Sequence, residues 1–256
     1  MDLTGRSAVE RVRGVDRIVV AEAATWGIPA VAARLLIISP LVAVVALVLT
    51  VPHPQLYHFL VDEDRVIEWT QFFAILLASF TFILAARQVR RTGRRRLMVL
   101  FLLVGVGAFV VAGEEISWGQ RLLGLSTPDP LKAINHQGET NIHNISSLQR
   151  VFNLGEMLVG LYGFAVPLLL ASRRVRDRLV RTGLTVDRLL VPPICLATLF
   201  FLPFAYRAFR AVLLPEAGER ITEFGELPEL TLYLGILITG LAILRAVRRQ
   251  APATTS

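Results

Sequence analysis

Six apolar stretches of roughly 20 residues confine this chain to a lipid bilayer. A helix rises about 1.5 Å per residue, so about 20 residues cross a hydrocarbon core of about 30 Å. The stretches run over 31–51, 66–86, 97–116, 154–172, 189–206 and 226–244. With 54% hydrophobic and only 18% charged residues, the composition excludes an ordinary water-soluble globule. Backbone groups in lipid must be paired within their own segment. The expected fold is therefore an all-α integral membrane bundle of six transmembrane helices. Pro40, Pro167, Pro192, Pro193 and Pro203 fall inside spans, which membrane helices tolerate. Residues 8–24 are patterned as an amphipathic helix lying along the membrane surface. The expected organisation is an interfacial segment over 1–30, a six-span domain over 31–249 with an outer loop at 117–152, and a disordered tail over 250–256. Four early arginines precede any long apolar run, so the first span reads as an uncleaved anchor. The single cysteine, Cys195, excludes an intrachain disulfide.

Arginine placement sets the orientation. Arginines crowd the N-terminal segment and the connections after the second, fourth and sixth apolar stretches. Outside the spans, 19 basic residues fall on that side and 7 on the other. The positive-inside rule then puts both termini in the cytoplasm of a cell membrane. Because the arginines sit beside spans, the net charge of +7 points to the bilayer as partner and not to nucleic acid. Fourteen of 20 carboxylates and all four histidines fall on the opposite side. Any chemistry is expected at the extracytoplasmic face.

Glu114 and Glu115 close the third apolar stretch, just inside the hydrocarbon edge and at a helix C-terminus, where the macrodipole repels negative charge. Ionisable groups in that place read as a functional site that needs a partner. One partner is an ion pair with Arg121 or with Arg207. Counting outward from each cytoplasmic boundary brings Glu68, Glu156, Glu226 and Glu229 to the same depth. For Glu68, Glu156 and Glu226 the plainer reading is a helix N-terminus that favours an acid. Glu229, a turn deeper, is a better candidate for binding. If the third helix continues, Glu114, Trp118 and Arg121 share one face. Trp118 also suits an interface anchor.

The outer loop carries the remaining candidates. Thr127 or Ser126 is placed to cap a short helix that starts near Pro128 and runs to about Asn135. The following ten residues, NHQGETNIHN, hold His136, Gln137, Glu139, Asn141, His143 and Asn144. Imidazole and carboxylate suit zinc or another divalent ion, with His136, His143 and Glu115 as ligands, although the spacing matches no strong zinc pattern. The alternative is a hydrogen-bonded polar cover over the helix ends. Asp62, Glu63 and Asp64 offer oxygen ligands for calcium, or simply a solvated loop. His53 and His58 read as interfacial.

The segments GEEISWGQR (113–121) and HQGETNIHN (136–144), with EDRVIEW (63–69), resemble a group of uncharacterised bacterial multi-pass membrane proteins. That resemblance implies the membrane fold and brings no activity. A fainter similarity is to alkaline ceramidase-like membrane hydrolases, which place acids before an early span and a metal within the bundle. This chain has no HxxxH in its last span and no serine–histidine pair in its second, so none of their catalytic residues maps onto it.

The leading functional expectation is a membrane-embedded hydrolase or transferase acting on a lipid-linked substrate at the outer leaflet. Glu114, Glu115 and Glu139 would be its acid–base groups, around a divalent metal where one is held. Trp118, Gln120, Arg121, Asn141, Arg207 and Glu229 would position substrate, with Arg121 or Arg207 suited to a phosphate. The alternatives are an ion-coupled transporter and a non-catalytic membrane subunit or assembly factor.

Overall fold

The computed structural model describes residues 8–62, 65–135, 138–143, 145–213 and 224–250. Helix α1 (Ala8–Thr25) precedes α2 (Ala30–Thr50), α3 (Pro54–Val61), α4 (Val66–Arg90) and α5 (Arg95–Glu115). Two short helices follow, α6 (Gln120–Leu123) and α7 (Asp129–Lys132). The long α8 (Ser146–Ala171), α9 (Arg173–Arg181), α10 (Ala197–Leu213) and α11 (Glu226–Gln250) complete the described residues. Six segments are long and apolar enough to cross a membrane, which makes this a multi-pass membrane protein with an all-α bundle. The outward faces agree. Leu35, Ile38, Leu41, Val45 and Leu49 of α2 are all exposed, as suits side chains that meet lipid. The tail over 251–256 lies outside the described residues.

Helix α4 sits at the centre of one half, packed between α5 and α11, and α10 packs against α8, α11 and α2 in the other. Small residues allow these close approaches, as in membrane helices generally. Ala74, Ala78 and Ala85 of α4 are buried, and Ser79 Oγ donates to the Gly105 carbonyl of α5 at 2.7 Å. The Phe200 ring of α10 is wedged between Gly163 of α8 and Gly235 of α11, where any Cβ would collide with it.

The fifth span differs from a continuous helix over 189–206. Its regular helix begins at Ala197, after two short 3-10 turns at Arg188–Leu190 and Ile194–Leu196. Pro192 and Pro193 lie between them. Proline lacks an amide N–H and pushes the preceding residue to extended backbone, and Val191 is extended. One of the amides freed there is met by α1: Ile194 N donates to Glu22 Oε2 at 3.0 Å, while Trp26 Nε1 donates to Glu22 Oε1 at 2.5 Å. The amphipathic α1 thus docks on the bundle through buried Val19, Ala23 and Trp26.

A second clasp holds α1 to α2. Arg34 donates from Nε and Nη2 to the two Asp16 carboxylate oxygens, each at 2.8 Å. These bonds hold the Asp16 carboxyl below its usual value. A group depressed in the folded state contributes fully above its ordinary pKa, about 3.9 for aspartate, and loses that contribution as pH falls. Protection of the α1 amides, with exchange corrected for its intrinsic slowing in acid, is therefore expected to fall as the pH drops from about 5 to about 3. Asp16→Asn should show the lower protection at every pH and lose that dependence.

Candidate functional site

Helix α5 stops at Glu115, and its end is a built structure. Ser117, Trp118 and Gly119 all take left-handed backbone, with φ of 46°, 56° and 76°. For residues with a side chain this costs roughly 1–2 kcal/mol each. The turn folds the Trp118 indole back over Gly113, where a Cβ would stand 2.8 Å from the ring. Trp118 Nε1 then donates to Glu114 Oε1 at 2.7 Å. Helix continuation through Arg121 is overturned. Glu114, Trp118 and Arg121 share no helical face, because the left-handed residues intervene.

The outer segment closes over this turn. Glu114 Oε2 accepts the backbone N–H groups of Ile142 at 2.6 Å and His143 at 3.1 Å. His143 Nδ1 lies 3.6 Å from that oxygen. Ser117 Oγ donates to Glu139 Oε2 at 2.6 Å, and Asn141 Nδ2 donates to the same oxygen at 2.9 Å. Asn135 Nδ2 donates to Asn141 Oδ1 at 2.7 Å. Gln120 bridges Thr140 N and Thr127 Oγ1, each at 2.6 Å. Thr127 therefore faces Gln120 and caps no helix; α7 starts after Pro128 without a side-chain cap. The two sequence motifs are thus two halves of one hydrogen-bonded cover. Glu114 is 6% exposed and already meets three N–H donors, so its burial is compensated by backbone and indole, with the His143 ring beside them.

Glu115 does something else. Successive helical residues point about 100° apart, and Glu115 faces the bundle. Its Oε1 accepts from Tyr233 Oη of α11 at 2.8 Å. Glu229, Glu226 and Glu68 lie close enough for their charges to act on it. Gln71, fully buried on α4, donates to the Glu226 carbonyl at 2.8 Å and to its Oε2 at 3.1 Å. Arg207 of α10 donates from Nε to Glu156 Oε2 at 2.7 Å and from Nη2 to Glu229. The Arg207 side chain is 10% exposed, and both partner carboxylates are 19% exposed. Helices α4, α5, α8 and α11 thus bring carboxylates together, with Arg207 of α10 among them, at the end of the bundle away from the arginine-rich connections.

Several expectations are corrected here. Glu156 is no N-terminal cap: α8 begins at Ser146, which sets Glu156 nearly three turns inside. Arg207 does not pair with Glu114 or Glu115, and it is no open phosphate ligand, because two carboxylates occupy its guanidinium. Glu68, Glu226 and Glu229 do lie in first helical turns. Among the described residues, no three His, Cys, Asp or Glu side chains gather in an arrangement that holds a metal. His143 turns to Glu114 and Glu115 to Tyr233, so these two do not share a ligand set. His136, Glu63, Asp64 and the Arg121 side chain lie outside what the structure describes. Asp62 accepts from or shares a proton with His58 Nδ1 at 2.9 Å.

Tyr233 and Gln71 complete the cluster and were missed in the sequence. Both were within reach of the helical period: Tyr233 follows Glu229 by four residues and Gln71 follows Glu68 by three, so each pair shares a face. Comparison with protein-family models, curated proteins and solved structures finds no match.

Proposed function

We propose that the carboxylate cluster around Glu115, Glu229, Tyr233 and Arg207 is an acid–base site open to the outer leaflet, and that the protein is a hydrolase or transferase acting on a lipid-linked substrate. The observation that carries this reading is the Glu115–Tyr233 hydrogen bond inside a group of carboxylates drawn from four helices. Ionisable side chains at membrane depth are expensive and mark sites of work. A carboxylate that shares its surroundings with other carboxylates passes protons readily, which is the requirement of a general acid or base. Helix α5 packs mainly along α4, and α8 mainly along α10. On this reading a lipid reaches the cluster from the bilayer, between these two helix pairs.

Charge narrows the substrate. Among the described residues the one cation ion-paired in the cluster is Arg207, and it is committed to two acids. Because that guanidinium is committed, the cluster offers a phosphate no fork, whereas carboxyl groups that hold protons both donate to and accept from a neutral headgroup. The positive-inside rule, applied to the arginine-rich connections, supports an extracytoplasmic position for the cluster. A metal is not required by this reading.

A proton- or cation-coupled carrier is the second reading, favoured by the depth of Glu156 within α8. It needs a polar path to the other face. Beyond the cluster, the described core is apolar: Ala78, Ala85, Val89, Ala242, Ile243 and Val247 fill it. Its buried hydroxyls on Ser79, Thr81 and Thr239 are tied to backbone carbonyls. The one-sided site therefore favours the enzyme.

The test is lipid turnover. Purified protein in vesicles of a total membrane lipid extract should deplete one lipid species over hours, read by mass spectrometry. Glu115→Gln and Glu229→Gln should each slow this by about a hundredfold, the ordinary contribution of a general acid or base. Unchanged lipid profiles with the wild-type protein, or turnover by both variants at the wild-type rate, would remove the proposal.

A further inference from the structure

The opposite end of the bundle holds a cavity that the acid cluster does not explain. Its volume is about 230 Å³, and its walls include Arg94, Arg188 and Arg249 with Trp26 and Asp187. A single water claims about 30 Å³, so the space admits a larger polar group. The three arginines come from separate parts of the chain. Arg94 precedes α5, Arg188 opens the proline-broken entry to the fifth span, and Arg249 lies in the last turn of α11.

Each acid nearby is already engaged. Asp187 is ion-paired with Arg94 and also accepts from Leu189 N at 3.0 Å. Glu22 holds Trp26 and Ile194 N, and its nearest approach to Arg188 is 4.0 Å. Arg188 is steadied by stacking over Trp26, 4.6 Å from the ring centroid, and by the Thr25 hydroxyl. Arg249 is ion-paired with no carboxylate among the described residues. Its guanidinium rests on the α1–α2 turn at Gly27, where φ is +74° and a Cβ would come within 2.6 Å of Nη2. The turn is thus shaped to admit the Arg249 head. Three pre-positioned guanidinium groups against one carboxylate in the wall form a positive recess, and their planar forks match phosphate oxygens.

We infer that this cavity binds a phosphate group, offered by an anionic phospholipid headgroup at the adjacent membrane surface or by free phosphate. Basic recesses between membrane helices hold anionic headgroups in this way. The site lies at the arginine-rich end, the end assigned to the cytoplasm, and its occupancy is independent of chemistry at the acid cluster. A bound phosphate would tie α1, the entry to the fifth span and the end of α11 into one unit.

The experiment uses the full chain in neutral detergent. Thermal unfolding and native mass spectrometry are recorded with phosphatidylglycerol, with phosphatidylcholine and with inorganic phosphate alone. One phosphatidylglycerol should remain bound and raise the unfolding midpoint, while phosphatidylcholine does neither. Loss of one charge-assisted fork in Arg249→Gln should weaken the effect about tenfold or more. Arg188→Lys, which keeps the charge and loses the fork, should weaken it as well. Arg248→Gln, an exposed arginine outside the cavity, should leave it intact. A midpoint shift with inorganic phosphate and no retained lipid would also support the site and would name free phosphate as its source. Equal behaviour of the two lipids with no phosphate effect would overturn the inference, and so would equal weakening by Arg248→Gln and Arg249→Gln.

Discussion

Arg207→Leu is expected to be the most disruptive single change in the bundle. The Arg207 side chain is nearly buried and holds Glu156 of α8 and Glu229 of α11 at once. Removing the guanidinium strands two carboxylates in an apolar setting, and breaking a buried pair from one side costs about 3–5 kcal/mol. The loss should appear as a large fall in the unfolding midpoint in detergent. Arg207→Lys should recover part of it, because an ammonium supplies charge but not the fork that reaches two acids. Neutralising all three groups together, as Arg207→Leu with Glu156→Gln and Glu229→Gln, should restore most of the stability. A full loss in the triple variant would mean that packing, and not charge, makes Arg207 important.

The second large effect falls on the neighbouring pair of acids, with opposite signs. Glu114→Ala removes the acceptor of Trp118 Nε1 and of the Ile142 and His143 amides. An orphaned buried donor costs about 1–3 kcal/mol, so together these make the variant severely unstable at the outer cover. Trypsin should then cut at Lys132 and Arg150, which bracket the released segment, well before the bundle unfolds. Glu115→Gln should instead leave stability unchanged or raise it. It lowers the crowding of negative charge and keeps an oxygen for Tyr233 Oη. Protease resistance in Glu114→Ala equal to wild type would show that the cover is held by something else.

The contrast between Glu114 and Glu115 shows how far the sequence could be read. Hydropathy alone locates six membrane segments, because lipid requires each to satisfy its own backbone as a helix. It also singles out the GEE pair as misplaced in lipid. What the two acids do was not legible. Their separate fates follow from the left-handed turn at Ser117 and Trp118, and no local pattern announces such backbone for residues that usually avoid it. Gly113 and Gly119 read as part of a chemical motif, yet one gives room for an indole and the other completes the turn. The depth of Glu156 was misjudged because Val151, Phe152 and the polar residues before them look like loop, while α8 starts five residues before Val151. The loop histidines suggested a metal; of the ligands proposed, His143 faces Glu114 and Glu115 faces Tyr233, while His136 lies outside the described residues. Arg207 was visible as a partner; the acids it chooses depend on helix packing that only the fold supplies.

The central claim is that the reactive acids of this protein are those of the intramembrane cluster, and not those of the loop cover. A lipid-soluble carbodiimide tests this most directly, because it forms stable adducts with protonated carboxyl groups reached from the bilayer. Treated protein in vesicles is digested and the modified residues are mapped by mass spectrometry. The account predicts modification at Glu115 or Glu229, abolished by the matching glutamine substitution, with Glu114 and Glu139 left unmodified. Labelling confined to Glu114 or Glu139, with the cluster untouched, would contradict it.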